Sequence, residues 1–173
     1  MSTNSTLSFN SLDKRVDTLS NYLVSNGVNK GDRIAFLCFN SSVIIEIIFA
    51  CWRIGAICLP INYRLTASEV LYIVSDAEPK VVFVDREFNG LWNEVLKDFD
   101  ENQLKTISFN SLTKQSDYED IVQSYSPHKN LNEMFFDEQC LLMYSSGTTG
   151  KPKGVIITHK MVHFGAVGAL LLG

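Results

Sequence analysis

The residues best suited to chemistry lie together in one stretch, Tyr144-Ser145-Ser146-Gly147-Thr148-Thr149-Gly150-Lys151-Pro152-Lys153-Gly154. Those residue types suit a polyphosphate. Gly147, Gly150 and Gly154 let the backbone come close to an anion and take positive φ cheaply. Successive backbone N–H groups can form an anion-binding nest. Ser145, Ser146, Thr148 and Thr149 add hydroxyl donors, and Lys151 and Lys153 add point charges for phosphate oxygens. Pro152 has a fixed φ and biases Lys151 toward an extended backbone, so the two lysines are held rather than floppy. The plainer reading is a surface turn, because Gly, Ser, Thr and Pro gather in turns anyway. The stretch is longer than the usual connection of roughly two to six residues. Beyond Tyr144 it has no large apolar or acidic member. Both points favour the anion site.

Two commoner phosphate motifs are excluded. A Walker A loop needs Gly-Lys followed by Ser or Thr and then a helix. Here Gly150-Lys151 meets Pro152, and an apolar run follows. No Gly-x-Gly-x-x-Gly occurs, so a dinucleotide fingerprint is absent.

The elements that must position the stretch come next. Residues 140–143 before it and 155–157 after it read as short buried strands, so the loop hangs from two anchored ends. Upstream, Leu12, Val16, Leu19 and Leu23 mark one apolar face of a helix over 11–26. A second helix over 42–54 is apolar nearly all round, with Glu46 and Arg53 its only charges, and should be deeply packed. It stops at Gly55. Thr66-Ala67-Ser68-Glu69 is a capping box that opens a third helix to about 76. A fourth covers 88–99, with Leu91, Val95 and Leu96 inward, and a short one covers 118–125. Strands are expected at 33–38, 56–59 (ended by Pro60), 80–84 and 104–109. The alternation predicts an α/β fold around a mostly parallel sheet, with 110–138 as a polar connecting segment. Asp32 and Glu69 read as a turn residue and a helix cap. Phe49, Trp52 and Tyr72 read as core, and Arg64 as one half of a surface salt bridge.

Composition narrows the function classes. The chain has 173 residues, 46% of them hydrophobic, which argues against disorder. A net charge of −4 offers no broad basic field, so no nucleic-acid partner is expected. No charged start followed by an apolar core resembles a signal peptide. Cys38, Cys51, Cys58 and Cys140 sit in or beside apolar runs with no Cys-x-x-Cys spacing. They read as reduced core residues, which fits a cytoplasmic setting. Residues 161–173 are apolar after His163 but fall short of the ~20 residues that span a bilayer, so they read as a core helix cut off from the structure it should pack against, with its apolar face exposed. His159 and His163 stand four apart, the spacing of two metal ligands on one helix face. No third ligand accompanies them, so no metal site is expected there, and His128 reads as solvated.

The glycine-rich stretch resembles the signature loop of the adenylate-forming (AMP-binding) enzymes. That superfamily contains acyl-CoA synthetases, peptide-synthetase adenylation domains and luciferases. Its pattern is two hydroxyl residues, Gly, Thr, Ser or Thr, Gly, any residue, Pro, Lys, Gly, and Ser145 to Gly154 meet every position. Thr158-His159 matches the pair that commonly follows. Upstream, Leu7-Ser8-Phe9-Asn10-Ser11-Leu12, Gly31-Asp32-Arg33-Ile34-Ala35 and Gly55-Ala56-Ile57-Cys58-Leu59-Pro60-Ile61-Asn62 are similar to the family's entry helix, first strand and following strand. The resemblance covers nearly the whole chain and is weakest over 110–138.

The resemblance implies that residues 1–173 are an incomplete part of the large N-terminal domain of such an enzyme. The family's adenine-binding portion and its C-terminal lid domain, with the catalytic lysine, lie beyond this sequence. It implies ATP, a carboxylic acid and coenzyme A as substrates, with Mg2+. An acyl-adenylate would form with release of pyrophosphate, and a thioester would follow. Ser145, Ser146, Gly147, Thr148, Thr149, Gly150, Lys151, Lys153 and Gly154 would hold the β- and γ-phosphates. Within that set Thr148 and Thr149 would bond phosphate oxygens and Lys153 would offset charge, while Lys151 occupies the variable position. Pro60-Ile61-Asn62-Tyr63-Arg64-Leu65-Thr66 leans toward acyl-CoA ligases rather than peptide-synthetase domains. A rival reading is a non-catalytic remnant or interaction module.

Overall fold

The computed structural model describes residues 7–99, 104–110, 116–124, 133–145 and 151–172. Helix α1 (Phe9–Ser25) leads to strand β1 (Arg33–Leu37), and α2 (Ser42–Ile54) to β2 (Ile57–Ile61). Then come α3 (Ala67–Ala77), β3 (Val81–Asp85), α4 (Asn89–Leu96) and β4 (Lys105–Phe109). Helix α5 (Asp117–Ser124), β5 (Gln139–Ser145), β6 (Lys153–Thr158) and α6 (His159–Leu172) complete the order. The strands form one sheet in the order β4-β3-β1-β2-β5-β6. All pairs are parallel except β5 with β6. This is the expected α/β architecture.

Strand alternation creates two cores. Side chains with period two point to opposite faces of a sheet. Ile34, Phe36, Cys58 and Phe83 pack on one face against α1, α2 and α5, through Leu19, Ile47 and Tyr118 among others. Ala35, Leu37, Leu59 and Val84 pack on the other face against α3 and α4, through Val70, Ile73, Val74 and Trp92. Strands buried on both faces read as continuous apolar runs, which is how they stood out in the sequence.

Several local expectations hold for stated reasons. Thr66 and Glu69 form the capping box, with Thr66 N–H donating to Glu69 Oε2 at 2.8 Å and Glu69 N–H to Thr66 Oγ1 at 3.4 Å. Gly55 ends α2 with φ 70°, a left-handed conformation that glycine takes cheaply. Asp32 closes a turn by accepting from Asn29 N–H at 2.8 Å. The four cysteines are free and buried.

Other expectations need correction. Strand β2 runs through Pro60 to Ile61 rather than ending before it. Its pairing with β5 is the single register pair Cys58–Leu141. Pro60 therefore lies past the part paired on both sides, where a missing N–H is tolerated. Helix α2 is not buried all round, since Ile45 and Phe49 are exposed. Helix α4 starts one residue later than expected, after a 3-10 turn over Arg86–Phe88, and ends at Leu96 rather than 99; its buried residues are Trp92 and Val95. Strand β6 is an exposed edge rather than a buried strand, with Val155 and Ile156 open. Helix α6 has the open apolar face expected of it, at Met161, Phe164, Leu170 and Leu171. Among the described residues no helix is long and apolar enough to cross a membrane.

A charged cluster inside the first layer escaped the sequence. Glu46 on α2 is buried, at 1% exposure, and accepts from Arg15 Nε at 2.9 Å. Arg15 also forks onto both carboxylate oxygens of Glu119 at 3.0 and 2.7 Å. Arg53 pairs with Asp13 at 2.8 Å and with Asp17, tying α2 to α1 a second time.

Candidate functional site

The glycine-rich stretch begins at the carboxyl end of β5, a strand parallel to its neighbour β2. Ligands of open α/β sheets bind at that end of parallel strands. Residues Ser146, Gly147, Thr148, Thr149 and Gly150 lie outside the described residues. The stems on either side are well placed. Tyr144 faces Gly154 and Ser145 faces Lys153 across the β5–β6 ladder. Lys153 and Gly154 thus belong to a strand, and the connection narrows to 146–152. Directly opposed residues of an antiparallel pair share a face, so Ser145 and Lys153 present a hydroxyl and an ammonium side by side. Both are exposed, as is Lys151. That pairing suits a phosphate oxygen.

Gly154 has a packing reason of its own. A Cβ there would stand 3.1 Å from Leu142 Cδ1 and 3.5 Å from Tyr144 Cζ. Glycine lets those two side chains fold across the hairpin. Tyr144 then reaches α3, where its hydroxyl donates to Asp76 Oδ2. Burial first, then the hydrogen bond and charge of Asp76, push the Tyr144 hydroxyl well above its ordinary range, so it remains a donor. At the far end of the connection, Lys151 Nζ lies 5.7 Å from the centroid of the Tyr72 ring. Sequence reasoning placed Tyr72 in the core and gave Asp76 no role. Their four-residue spacing on one helix face was visible, but not that the hairpin meets this face.

The remaining candidates separate from this site. His159 packs edge-on against Trp52, ring centroids 5.4 Å apart, and burial lowers its pKa below the ordinary 6.5. His163 sits against Phe136 at 5.3 Å and Phe164 at 5.4 Å. Each histidine is thus an aromatic contact near the start of α6. With Trp52, Phe135 and Phe136 they line an apolar cleft of about 390 Å³. Among the described residues no group of three or more His, Cys, Asp or Glu could hold a metal ion. Arg64 stacks on Tyr63 at 5.6 Å and takes part in none of the ion pairs among the described residues, contrary to the expected salt bridge. Burial, with the charge of Asp85 adding to it, pushes the Cys38 thiol up to about 12, which leaves it no nucleophile at neutral pH.

Comparison with known proteins agrees with this architecture. The family model described as AMP-binding enzyme matches residues 1–171. A long-chain-fatty-acid–CoA ligase, FadD13, of Mycobacterium tuberculosis is 31% identical over 167 residues, covering 95% of this chain and 32% of that protein. A feruloyl-CoA synthase of Amycolatopsis is 31% identical over 165 residues, covering 95% of this chain and 31% of the relative. Among solved structures, the inhibitor-bound N-terminal domain of FACL13 from M. tuberculosis superposes with a TM-score of 0.80 at 30% identity. That match covers 91% of this chain and 38% of the other. The chain spans about a third of the length of the curated relatives it matches, 31% to 32% in these two.

Proposed function

This chain belongs to the AMP-binding enzyme family, and we propose that it supplies the phosphate-holding part of an enzyme that activates a carboxylic acid with ATP. In the proposed reaction a carboxylate oxygen bonds to the α-phosphorus of ATP. The bond from that phosphorus to the β-bridging oxygen breaks, and pyrophosphate leaves. The acyl-adenylate then passes its acyl group to the thiol of coenzyme A, releasing AMP. The observation that carries the reading is the juxtaposition of Ser145 and Lys153 at the carboxyl end of a parallel strand, on the stems of the glycine-rich connection.

The chain's part in the first step is positioning and charge stabilisation. Lys153 would lie against the leaving pyrophosphate, where negative charge grows as the bond breaks. Ser145, Ser146, Thr148 and Thr149 would donate hydroxyl hydrogen bonds to the β- and γ-phosphates. The glycines Gly147 and Gly150 would let backbone N–H groups approach the same oxygens. An acid–CoA ligase is favoured over a peptide-synthetase adenylation domain, because the matched relatives carry CoA-ligase names and residues 60–66 lean the same way.

ATP–pyrophosphate exchange tests the reading. It is measured on this chain alone and with the remainder of a family enzyme added, across aliphatic and aromatic acids. Acid-dependent exchange supports an adenylating enzyme, and the best acid names its substrate class. A folded chain with no exchange in either arm is the result expected of a non-catalytic module.

A further inference from the structure

We propose that Tyr72 and Asp76 of α3 are positioning residues that anchor the two ends of the glycine-rich connection, a role that rests on the phosphate-holding reading above. The two residues are four apart, so they stand one above the other on a single helix face. Tyr144, on the stem that enters the connection, donates its hydroxyl to Asp76 Oδ2. Lys151, just before the stem that leaves it, sets its ammonium 5.7 Å from the Tyr72 ring centroid. One helix face therefore touches both ends of the connection. Leu142 and Tyr144 also pack in the same core cluster as Val70, Ile73 and Val74 of α3, and Gly154 leaves the space they need.

Helix α3 is suited to such a role because both of its ends are tied down. The Thr66–Glu69 capping box fixes its start. At its end, the Arg33 guanidinium donates to Ala77 O at 2.6 Å and Glu78 O at 3.1 Å, taking up carbonyls that a helix terminus leaves free. The arrangement divides the two lysines. Lys153 faces Ser145 and solvent, free for phosphate. Lys151 has its charge against an aromatic face, so it orients the hairpin rather than binding the leaving group.

The test has two arms. In this chain, proton NMR should show the Lys151 side-chain methylenes shifted upfield by the Tyr72 ring. The shift should vanish in Tyr72→Leu and persist in Tyr72→Phe. In the intact enzyme, Tyr72→Leu should raise KM for ATP in pyrophosphate exchange about 2–5-fold, the range of an exposed cation–π contact. KM for the acid should not move, and Tyr72→Phe should restore the ATP value. Asp76→Ala and Tyr144→Phe remove the same hydrogen bond, so the double variant should be no worse than the poorer single one. Absence of the ring-current shift in the unaltered chain overturns the anchoring role. So does an unchanged KM for ATP in Tyr72→Leu. The shift with no acid-dependent exchange in the intact enzyme leaves the anchor standing and overturns the adenylating function instead.

Discussion

The hydroxyl of Tyr118 on α5 donates a 2.5 Å hydrogen bond to Glu46 Oε2 on α2, across 72 residues of sequence. Arg15 on α1 holds the other oxygen of the same carboxylate at 2.9 Å. One buried acid thus ties three helices on one side of the sheet. Burial first, then the charge and hydrogen bond of Glu46, push the Tyr118 hydroxyl well above its ordinary range, so it stays a donor. Charges taken out of water are costly unless paired, and removing one partner strands the other. Glu46→Ala should therefore lower the unfolding free energy by about 3–5 kcal/mol. The lower end is expected, because Arg15 keeps Glu119 as a second partner. Tyr118→Phe, which loses one hydrogen bond, should cost about 1–3 kcal/mol. Urea unfolding measures both; a Glu46→Ala loss below that of Tyr118→Phe would count against the cluster as a structural tie.

The capping box predicts a particular response to acid. The Thr66 backbone N–H, then the Thr66 hydroxyl, hold the Glu69 carboxyl below its ordinary 4.5. A carboxylate depressed in the folded state contributes stability above its unfolded pKa and loses it as pH falls through the folded value. Lys30 does the same for Glu138, so two such contributions begin to be lost near pH 4.5 and go on falling as pH drops through the lower folded values. Glu69→Gln removes one of them. The variant should show a shallower fall in urea midpoint between about pH 5 and 3 than the unaltered chain. An unchanged slope would mean that the Thr66–Glu69 contact carries no linkage.

What the sequence made legible was local. The spacing of Val16, Leu19 and Leu23 marked the buried face of α1, Thr66 to Glu69 marked the start of α3, and Gly55 marked the end of α2, because each signal acts within a turn or two of the chain. The alternation of those elements was enough for the parallel sheet. The glycine-rich stretch was legible as a family signature, and the reaction proposed for it rests on that pattern. Long-range pairings were not legible. Glu46 looked like one of two charges on an apolar helix, since its partners lie 31 and 72 residues away. Asp76 meets Tyr144 across 68 residues, so its part in the site appears only in the fold. The exposed β6 misled because an apolar run reads as buried whether or not anything covers it.

Pyrophosphate exchange in the intact enzyme carrying Lys153→Ala or Thr148→Ala tests the central claim most directly, namely that this stretch holds the leaving pyrophosphate. Each substitution should cut the exchange rate by about 10²-fold, the usual cost of losing one group aimed at developing charge. In this chain the circular dichroism and urea midpoint of Lys153→Ala should stay unchanged, because Lys153 is exposed on an edge strand. Unaltered exchange in both variants would contradict the assignment and return the stretch to an ordinary surface turn.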